Sequence, residues 1–213
     1  MLKENLNLKY WNNFYQKKNL VIQPSKFATY CQKVLKGYKG IVYDIGCGNG
    51  RDVIFFNKKK IYCIGIDKSP QAIFKSKKKF LPYKNHFKNK NFCKFFFKQL
   101  KVANFSIYSR FSLHSISYVN EKKLLDSLIN QANLEYLFIE SRTLDDELYG
   151  IGKRVGKHEF ISTHYRRFID PLILKQKLKK YFNIIYFRKS KGFAKFKKEE
   201  PCVLRIIAKK KLI

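Results

Sequence analysis

The sequence predicts a doubly wound α/β fold, and three observations carry that expectation. Short apolar runs alternate with helical stretches along most of the chain, a loop with three glycines at alternate positions follows the first run, and the chain closes on two apolar runs that read as an antiparallel pair. GIVYDIG at 40–46 is a short apolar run ending in glycine, the mark of a buried strand. RDVIFFNKKK follows as a short helix, and IYCIGID at 61–67 as a second strand. In SPQAIFKSKKKF, Ser69 stands as the N-cap and Pro70 at the first helical position, where its missing N–H costs nothing. A third strand is expected in NFCKFFF, a run whose spacing suits helix or strand. NFSIYSRF (104–111) and LEYLFIE (134–140) bracket the helix NEKKLLDSLINQ and supply strands four and five. Pro171 opens a helix running to about Tyr181, and NIIYFRKS and CVLRIIAKK form the closing pair. YWNNFY and PSKFATYCQKVL, within the first 40 residues, are expected as two helices over the sheet's ligand edge. With no internal repeat and no Pro/Gly/Ser-rich linker, one domain is expected over 1–213, residues 1–38 forming lid helices.

Composition narrows the class. At 213 residues with 45% hydrophobic and 16% aromatic side chains the chain can bury a core, which excludes a disordered polymer. No apolar stretch approaches the roughly 18 residues a membrane span needs, and the start lacks the apolar core of a signal peptide. Cysteines 31, 47, 63, 93 and 202 are odd in number, widely spaced and without a C-x-x-C pair. Neither a metal site nor a disulfide framework is expected, and a reducing cytoplasm is the expected location. The formal charge is +31, yet only eight of the 46 basic residues are arginine. Lysine used as the default filler of solvated faces is a compositional bias; a nucleic-acid or anionic-membrane partner is the alternative. Residues that run against the bias are therefore informative. The first 120 residues hold four acids, Glu4, Asp44, Asp52 and Asp67, and five of the eight arginines fall between 110 and 167.

In VYDIGCGNGRD, starting at Val42, Gly46, Gly48 and Gly50 let the backbone turn tightly and approach a ligand without Cβ clashes. The dinucleotide fingerprint is G-x-G-x-x-G with pyrophosphate on the helix N-terminus. Here the spacing is G-x-G-x-G, with Asp44 before it and Arg51–Asp52 after it. Carboxylates there repel a pyrophosphate and suit a ligand bearing an ammonium group. Asp67 closes the second strand, where a carboxylate can accept hydrogen bonds from both hydroxyls of a ribose.

VYDIGCGNGRD followed by GIDKSPQAI resembles motifs I and II of the class I S-adenosylmethionine-dependent methyltransferases. The resemblance implies a Rossmann-like sheet of seven strands ordered 3-2-1-4-5-7-6 with strand seven antiparallel. It implies S-adenosyl-L-methionine as cofactor, with Gly46, Cys47, Gly48, Asn49 and Gly50 against its methionine moiety. Asp44 would organise the loop and the amino group, Asp67 would bind the ribose with Lys68 and Ser69 beside it, and Tyr108 would join the same site. The family usually carries an acid after strand three for the adenine amino group. Lys68 to Asn104 holds none, so adenine is expected to be held by backbone and by apolar or aromatic packing. A nicotinamide enzyme or a degenerate Rossmann domain is the alternative.

Methyl transfer is an in-line displacement at carbon, helped mostly by positioning the nucleophile and excluding water. A general base matters only while the acceptor is still protonated. Strand four, IYSRFSLHSI, lacks the N/D-P-P-Y loop of enzymes acting on DNA-base amino groups. Pro201–Cys202 falls on a late strand, out of place for a C5-cytosine nucleophile, and strand four does not end in the acid of a Lys-Asp-Lys-Glu ribose methyltransferase. These absences put a nucleic-acid acceptor second. Arg110 and His114 follow strand four, Glu140 and Arg142 follow strand five, and GIGKRVGKHEFISTHYRRF adds Arg154, His158, His164, Arg166 and Arg167. Arginine in a lysine-rich chain points to planar, bidentate recognition of carboxylate or phosphate. His114 and His158 are candidate bases, and Arg110 is a candidate catalytic group unless it bridges structurally to Glu140. Glu140, Arg142, His164, Arg166 and Arg167 are candidate acceptor ligands, with an exposed loop position the alternative for His164.

The pattern W-x-x-F-Y, P-S-x-F-A, Y-S-R-F-S-L-H-S-I, I-E-S-R and H-Y-R-R-F is similar to a narrower bacterial group of surface-polysaccharide (capsule) and small-molecule pathways. That similarity implies a lid of Trp11, Tyr15, Ser25 and Phe27 over cofactor and acceptor, ordinary helix packing being the alternative for Trp11 and Phe27. It also implies a small anionic acceptor, phosphorylated, phosphoramidate or sugar-linked, methylated on O or N. An RNA methyltransferase using the lysine-rich face of 75–101 and a non-catalytic cofactor-binding subunit are the competing readings.

Overall fold

The computed structural model describes residues 2–16, 21–96, 100, 102–195 and 199–211. Its strands are β1 (Ile41–Ile45), β2 (Cys63–Asp67), β3 (Phe87–Asn89), β4 (Phe105–Arg110), β5 (Leu134–Arg142), β6 (Lys153–Gly156), β7 (Glu159–Ile161), β8 (Tyr165–Arg167), β9 (Phe182–Ser190) and β10 (Val203–Lys210). The helices are α1 (Leu2–Gln16), α2 (Lys26–Val34), α3 (Arg51–Lys58), α4 (Pro70–Lys79), α5 (Phe92–Phe95), α6 (Tyr118–Ile129) and α7 (Pro171–Lys179). Seven strands form one sheet in the order β3-β2-β1-β4-β5-β10-β9, and β6-β7-β8 form a second. In the large sheet β10 runs antiparallel to both its neighbours, while β1 to β5 pair in parallel. Numbered within that sheet, the order is the expected 3-2-1-4-5-7-6.

Strand alternation sends successive residues to opposite faces, so β1 serves two cores. Tyr43 and Ile45 join residues of α5, α6 and α7 on one face, while Val42 joins Phe27 and Cys31 of α2 and Val53 and Phe56 of α3 on the other. Local chemistry sets the helix starts. The Ser69 hydroxyl accepts from Ala72 N–H with Pro70 in the first turn, and the Asp170 carboxylate caps α7 ahead of Pro171.

Two expectations are corrected. The third strand is not in NFCKFFF but just before it, at β3; Phe92–Phe95 form the short helix α5, and Phe97 lies outside the described residues. The Asn91 side chain caps that helix through Cys93 N–H, and Phe92, Cys93 and Phe96 are buried together at helical spacing. The segment between β5 and α7, read only as a source of polar residues, forms the small antiparallel sheet β6-β7-β8. Its strands are three or four residues long, too short for alternation to show. Among the described residues no helix is long and apolar enough to cross a membrane, no disulfide forms, and no cluster of side chains suits a metal ion. All five cysteines are buried.

Candidate functional site

The loop after β1 is pinned to the end of β2: Gly46 and Cys47 N–H both donate to Ile66 C=O, at 2.7 and 3.2 Å. Gly46, Gly48 and Gly50 have φ of +73°, +55° and +73°, a region that side chains avoid. Space argues the same way, since a Cβ on Gly46 would lie 2.8 Å from Ser112 Cβ and one on Gly48 2.3 Å from the Tyr15 hydroxyl. Asp67 braces the loop from β2: Oδ2 accepts from Gly48 N–H (2.9 Å) and Oδ1 from Ser69 N–H (2.8 Å). Each oxygen keeps a further lone pair. Burial raises the Asp67 carboxyl above its usual range, opposed by those N–H donors. Asp44 is also buried, and its carboxylate has no hydrogen-bond partner among the described residues. Burial, then Asp52 and Asp67, push its carboxyl well above the usual range, against Arg110 and Arg51.

Asp52, read from the sequence only as one of the carboxylates beside the glycine loop, is the hub beneath it. It accepts from Ser25 N–H and O–H (both 2.8 Å) and from Tyr108 O–H (2.9 Å). Ser25 also caps α2 through Ala28 N–H. The triad thus ties α2, α3 and β4 together. The one available clue was the rarity of acids in the first 120 residues. Ser25 borders the cavity above; Tyr108 is fully buried and does not line it.

That cavity, of about 600 Å³, opens at the carboxyl ends of β1, β2 and β4, where ligands of open α/β sheets sit. Asp44, Asp67, Lys68, Ser69 and the 46–49 stretch line one side; Gly50 turns into α3 and does not. Asn91, Phe92 and Cys93 line it after β3, where the expected adenine acid is missing. The α1 helix covers it with Tyr10, Trp11, Phe14 and Tyr15. Asn12 holds that helix through Ser69 O–H (2.6 Å), and Trp11 and Tyr15 stack with centroids 6.0 Å apart. Burial, then Asp67, raise the Tyr15 phenol well above its usual range.

On the other side the arginines divide. Register places Arg110, Glu140 and Arg205 side by side on β4, β5 and β10. Arg110 Nε lies 2.8 Å from Glu140 Oε1, and Arg205 Nε donates to Oε2 at 2.6 Å. Glu140 is fully buried and does not line the cavity, so its place is in this bridge; Arg110 does line it, over the Phe111 ring. Arg142 lines it too, donating to both Asp146 oxygens (2.8 and 3.1 Å) and pairing with Glu199. Arg167 lies outside, pairing with Glu121 and donating to Ile116 C=O (3.1 Å) and Leu113 C=O (3.4 Å), which anchors the segment bearing His114. His158 is also outside, in a turn at φ +59° with Nδ1 2.8 Å from the Tyr149 hydroxyl. Arg154 is exposed on β6.

Three more residues line that side: His114, His164 and Arg166. His114 is 5% exposed, and its Nδ1 is buried without a hydrogen-bond partner among the described residues. Burial, then Arg142, His164 and Arg166, hold it well below the usual imidazole range. His164 is buried rather than looped out; it stacks on Tyr10 (4.1 Å) and meets Thr163 Oγ1 at 3.1 Å. Burial, then Arg166, lower its pKa to about 3. Both imidazoles are neutral at neutral pH.

Sheet order, antiparallel strand and cavity position define a Rossmann-like methyltransferase fold. Among solved structures, a methyltransferase from Methanosarcina mazei, named as dependent on S-adenosylmethionine, is similar with a TM-score of 0.68 and 18% identity, over 84% of this chain and 98% of that one. A like-named protein from Anabaena variabilis gives 0.65 and 15%, over 98% and 95%. The glycopeptide N-methyltransferase MtfA, solved with S-adenosyl-L-homocysteine, gives 0.63 and 13%, over 89% and 90%. At these identities the likeness is one of fold. No family model and no curated protein matches the chain.

Proposed function

We propose that this chain is an S-adenosyl-L-methionine-dependent methyltransferase acting on O or N of a small anionic molecule. One observation carries the reading: a glycine loop that admits no Cβ and the carboxylates Asp44 and Asp67 share a cavity with His114 and the four arginines Arg51, Arg110, Arg142 and Arg166. The residues suit the cofactor. The Asp44 carboxylate, buried and unpartnered among the described residues, faces the cavity as an acceptor for an ammonium group. Asp67 has lone pairs left for two ribose hydroxyls. Asn91, whose Oδ1 caps α5 by accepting from Cys93 N–H, has its Nδ2 amide left to donate to the adenine edge beside Phe92. The volume lies within the roughly 300–1,000 Å³ usual for ligand pockets. Bound there, the cofactor supplies a methyl group on a sulfonium. The aromatic residues of α1 exclude water, and the neutral His114 takes the proton of an acceptor O–H or N–H at Nε2, Nδ1 being sealed away. The acceptors to screen first are phosphorylated, phosphoramidate and sugar-linked precursors of surface polysaccharide, on the strength of the similarity drawn from sequence.

Calorimetric titration with S-adenosylmethionine, S-adenosylhomocysteine and NAD tests this reading. Micromolar binding of the first two, and not of NAD, is expected; NAD binding alone would make the chain a nicotinamide protein. His114→Gln should then keep cofactor affinity and lower turnover about 10²–10⁴-fold.

A further inference from the structure

The arginines around the cavity are not equivalent once their partners are counted. Arg110 and Arg205 share the carboxylate of Glu140, a group with one net positive charge. Arg142 stands between Asp146 and Glu199, a group with one net negative charge. The two groups offset each other. Lys26, Arg51 and Lys68 on the lining equal Asp44, Asp52 and Asp67 in number, and Lys195 there is exposed to water. His114 and His164 add nothing because both are neutral. Arg166 remains. It lines the cavity half-buried, and among the described residues its guanidinium has no acidic partner and one hydrogen bond, from Nη1 to Ser162 Oγ at 3.0 Å. Its neighbours on β8, Tyr165 and Arg167, are buried, so strand alternation turns Arg166 the opposite way. Burial, then the Arg142 charge, pull its pKa below the usual guanidinium range, so the charge is costly there until an anion arrives.

We propose that the acceptor carries a single negative charge, as a carboxylate or a phosphate diester, and that Arg166 is the residue that binds it. The proposal rests on the methyltransferase reading and narrows its acceptor from anions in general to monoanions. A dianionic phosphate monoester would bring one charge too many into a cavity roofed by Tyr10 and Trp11, where uncompensated charge is expensive. The guanidinium donors not used by Ser162 supply the fork that a carboxylate or phosphate takes.

The test uses three phenyl compounds of graded charge, titrated into the full chain with and without S-adenosylhomocysteine at about pH 8. Benzoate and methyl phenyl phosphate carry one charge, whereas phenyl phosphate carries two, its second ionisation lying near pH 6. At least one monoanion should bind more tightly than phenyl phosphate, and which one does separates carboxylate from diester. Arg166→Gln should weaken that monoanion roughly tenfold to a hundredfold, and Arg166→Lys should restore part of the loss. Thermal midpoints and S-adenosylhomocysteine affinity check that both variants fold. Tighter binding of phenyl phosphate, unchanged monoanion affinity in Arg166→Gln, or no saturable monoanion binding at millimolar concentration overturns the proposal. If S-adenosylhomocysteine does not bind but Arg166 still governs monoanion affinity, the methyltransferase reading falls and the anion subsite stands.

Discussion

Asp67 uses one lone pair of each carboxylate oxygen on the backbone, bracing Gly48 and Ser69, and keeps the others for a ligand. Asp67→Ala removes both functions, so S-adenosylmethionine affinity should fall by about 1–3 kcal/mol; unchanged affinity by calorimetry would place the ribose elsewhere. His164 shows how burial becomes pH dependence. Its pKa is about 3 in the fold against 6.5 when unfolded. Below pH 6.5 the unfolded chain takes up a proton that the folded chain refuses, so this contribution is full above 6.5 and is lost as pH falls toward 3. His114 acts in the same direction, whereas the raised carboxyls of Asp44 and Asp67 favour the fold as pH drops. His164→Phe keeps a ring against Tyr10 and removes the titration. Between pH 6.5 and about pH 5 it should lose about 2 kcal/mol less stability than the natural chain in urea unfolding. Equal losses would mean that His164 accepts a proton within the fold.

Elements decide which charges meet. Arg110, Glu140 and Arg205 sit on β4, β5 and β10, and registers bring them into one row. Glu140→Gln would leave two guanidinium groups facing each other around a fully buried position. The cost should be about 3–5 kcal/mol, read as a lower urea midpoint; a change below about 1 kcal/mol would mean that water already screens the row. Sequence anticipated the Arg110–Glu140 pair as one possibility, but Arg205 was invisible because it joins only through the antiparallel return of the last strand. The same limit shows after β2. Asn91 ends the extended chain with a side-chain cap, and Phe92, Cys93 and Phe96 then share a helical face. In a phenylalanine-rich run, periodicity alone could not separate that from a strand.

At the scale of the molecule, the +31 charge is carried mostly by lysines on solvated faces, while the cavity's arginines, Arg166 excepted, stand against acids. A small acceptor therefore predicts weak salt dependence: acceptor affinity should change less than about tenfold between 50 and 200 mM salt. A nucleic acid held by six to ten phosphate contacts would lose about 10³–10⁵ over that range. A loss of that size would favour the lysine-rich face of 75–101, of which 97–99 and 101 lie outside the described residues.

By itself the sequence determined whatever depends on neighbouring residues. The glycine loop is demanded by positive φ, the starts of α4 and α7 by Ser69, Pro70 and Pro171, and the strand–helix alternation by apolar spacing. Sheet order was legible through the resemblance those motifs carry. Only the tertiary structure decided which polar groups face the cavity. It turned Arg167 and His158 away, set Glu140 between two arginines, made Asp52 the anchor of Ser25 and Tyr108, and left Arg166 without a counter-ion among the described residues. The physical reason is range: dihedral preference and capping act within a few residues, whereas charge pairing is set by register between strands tens of residues apart.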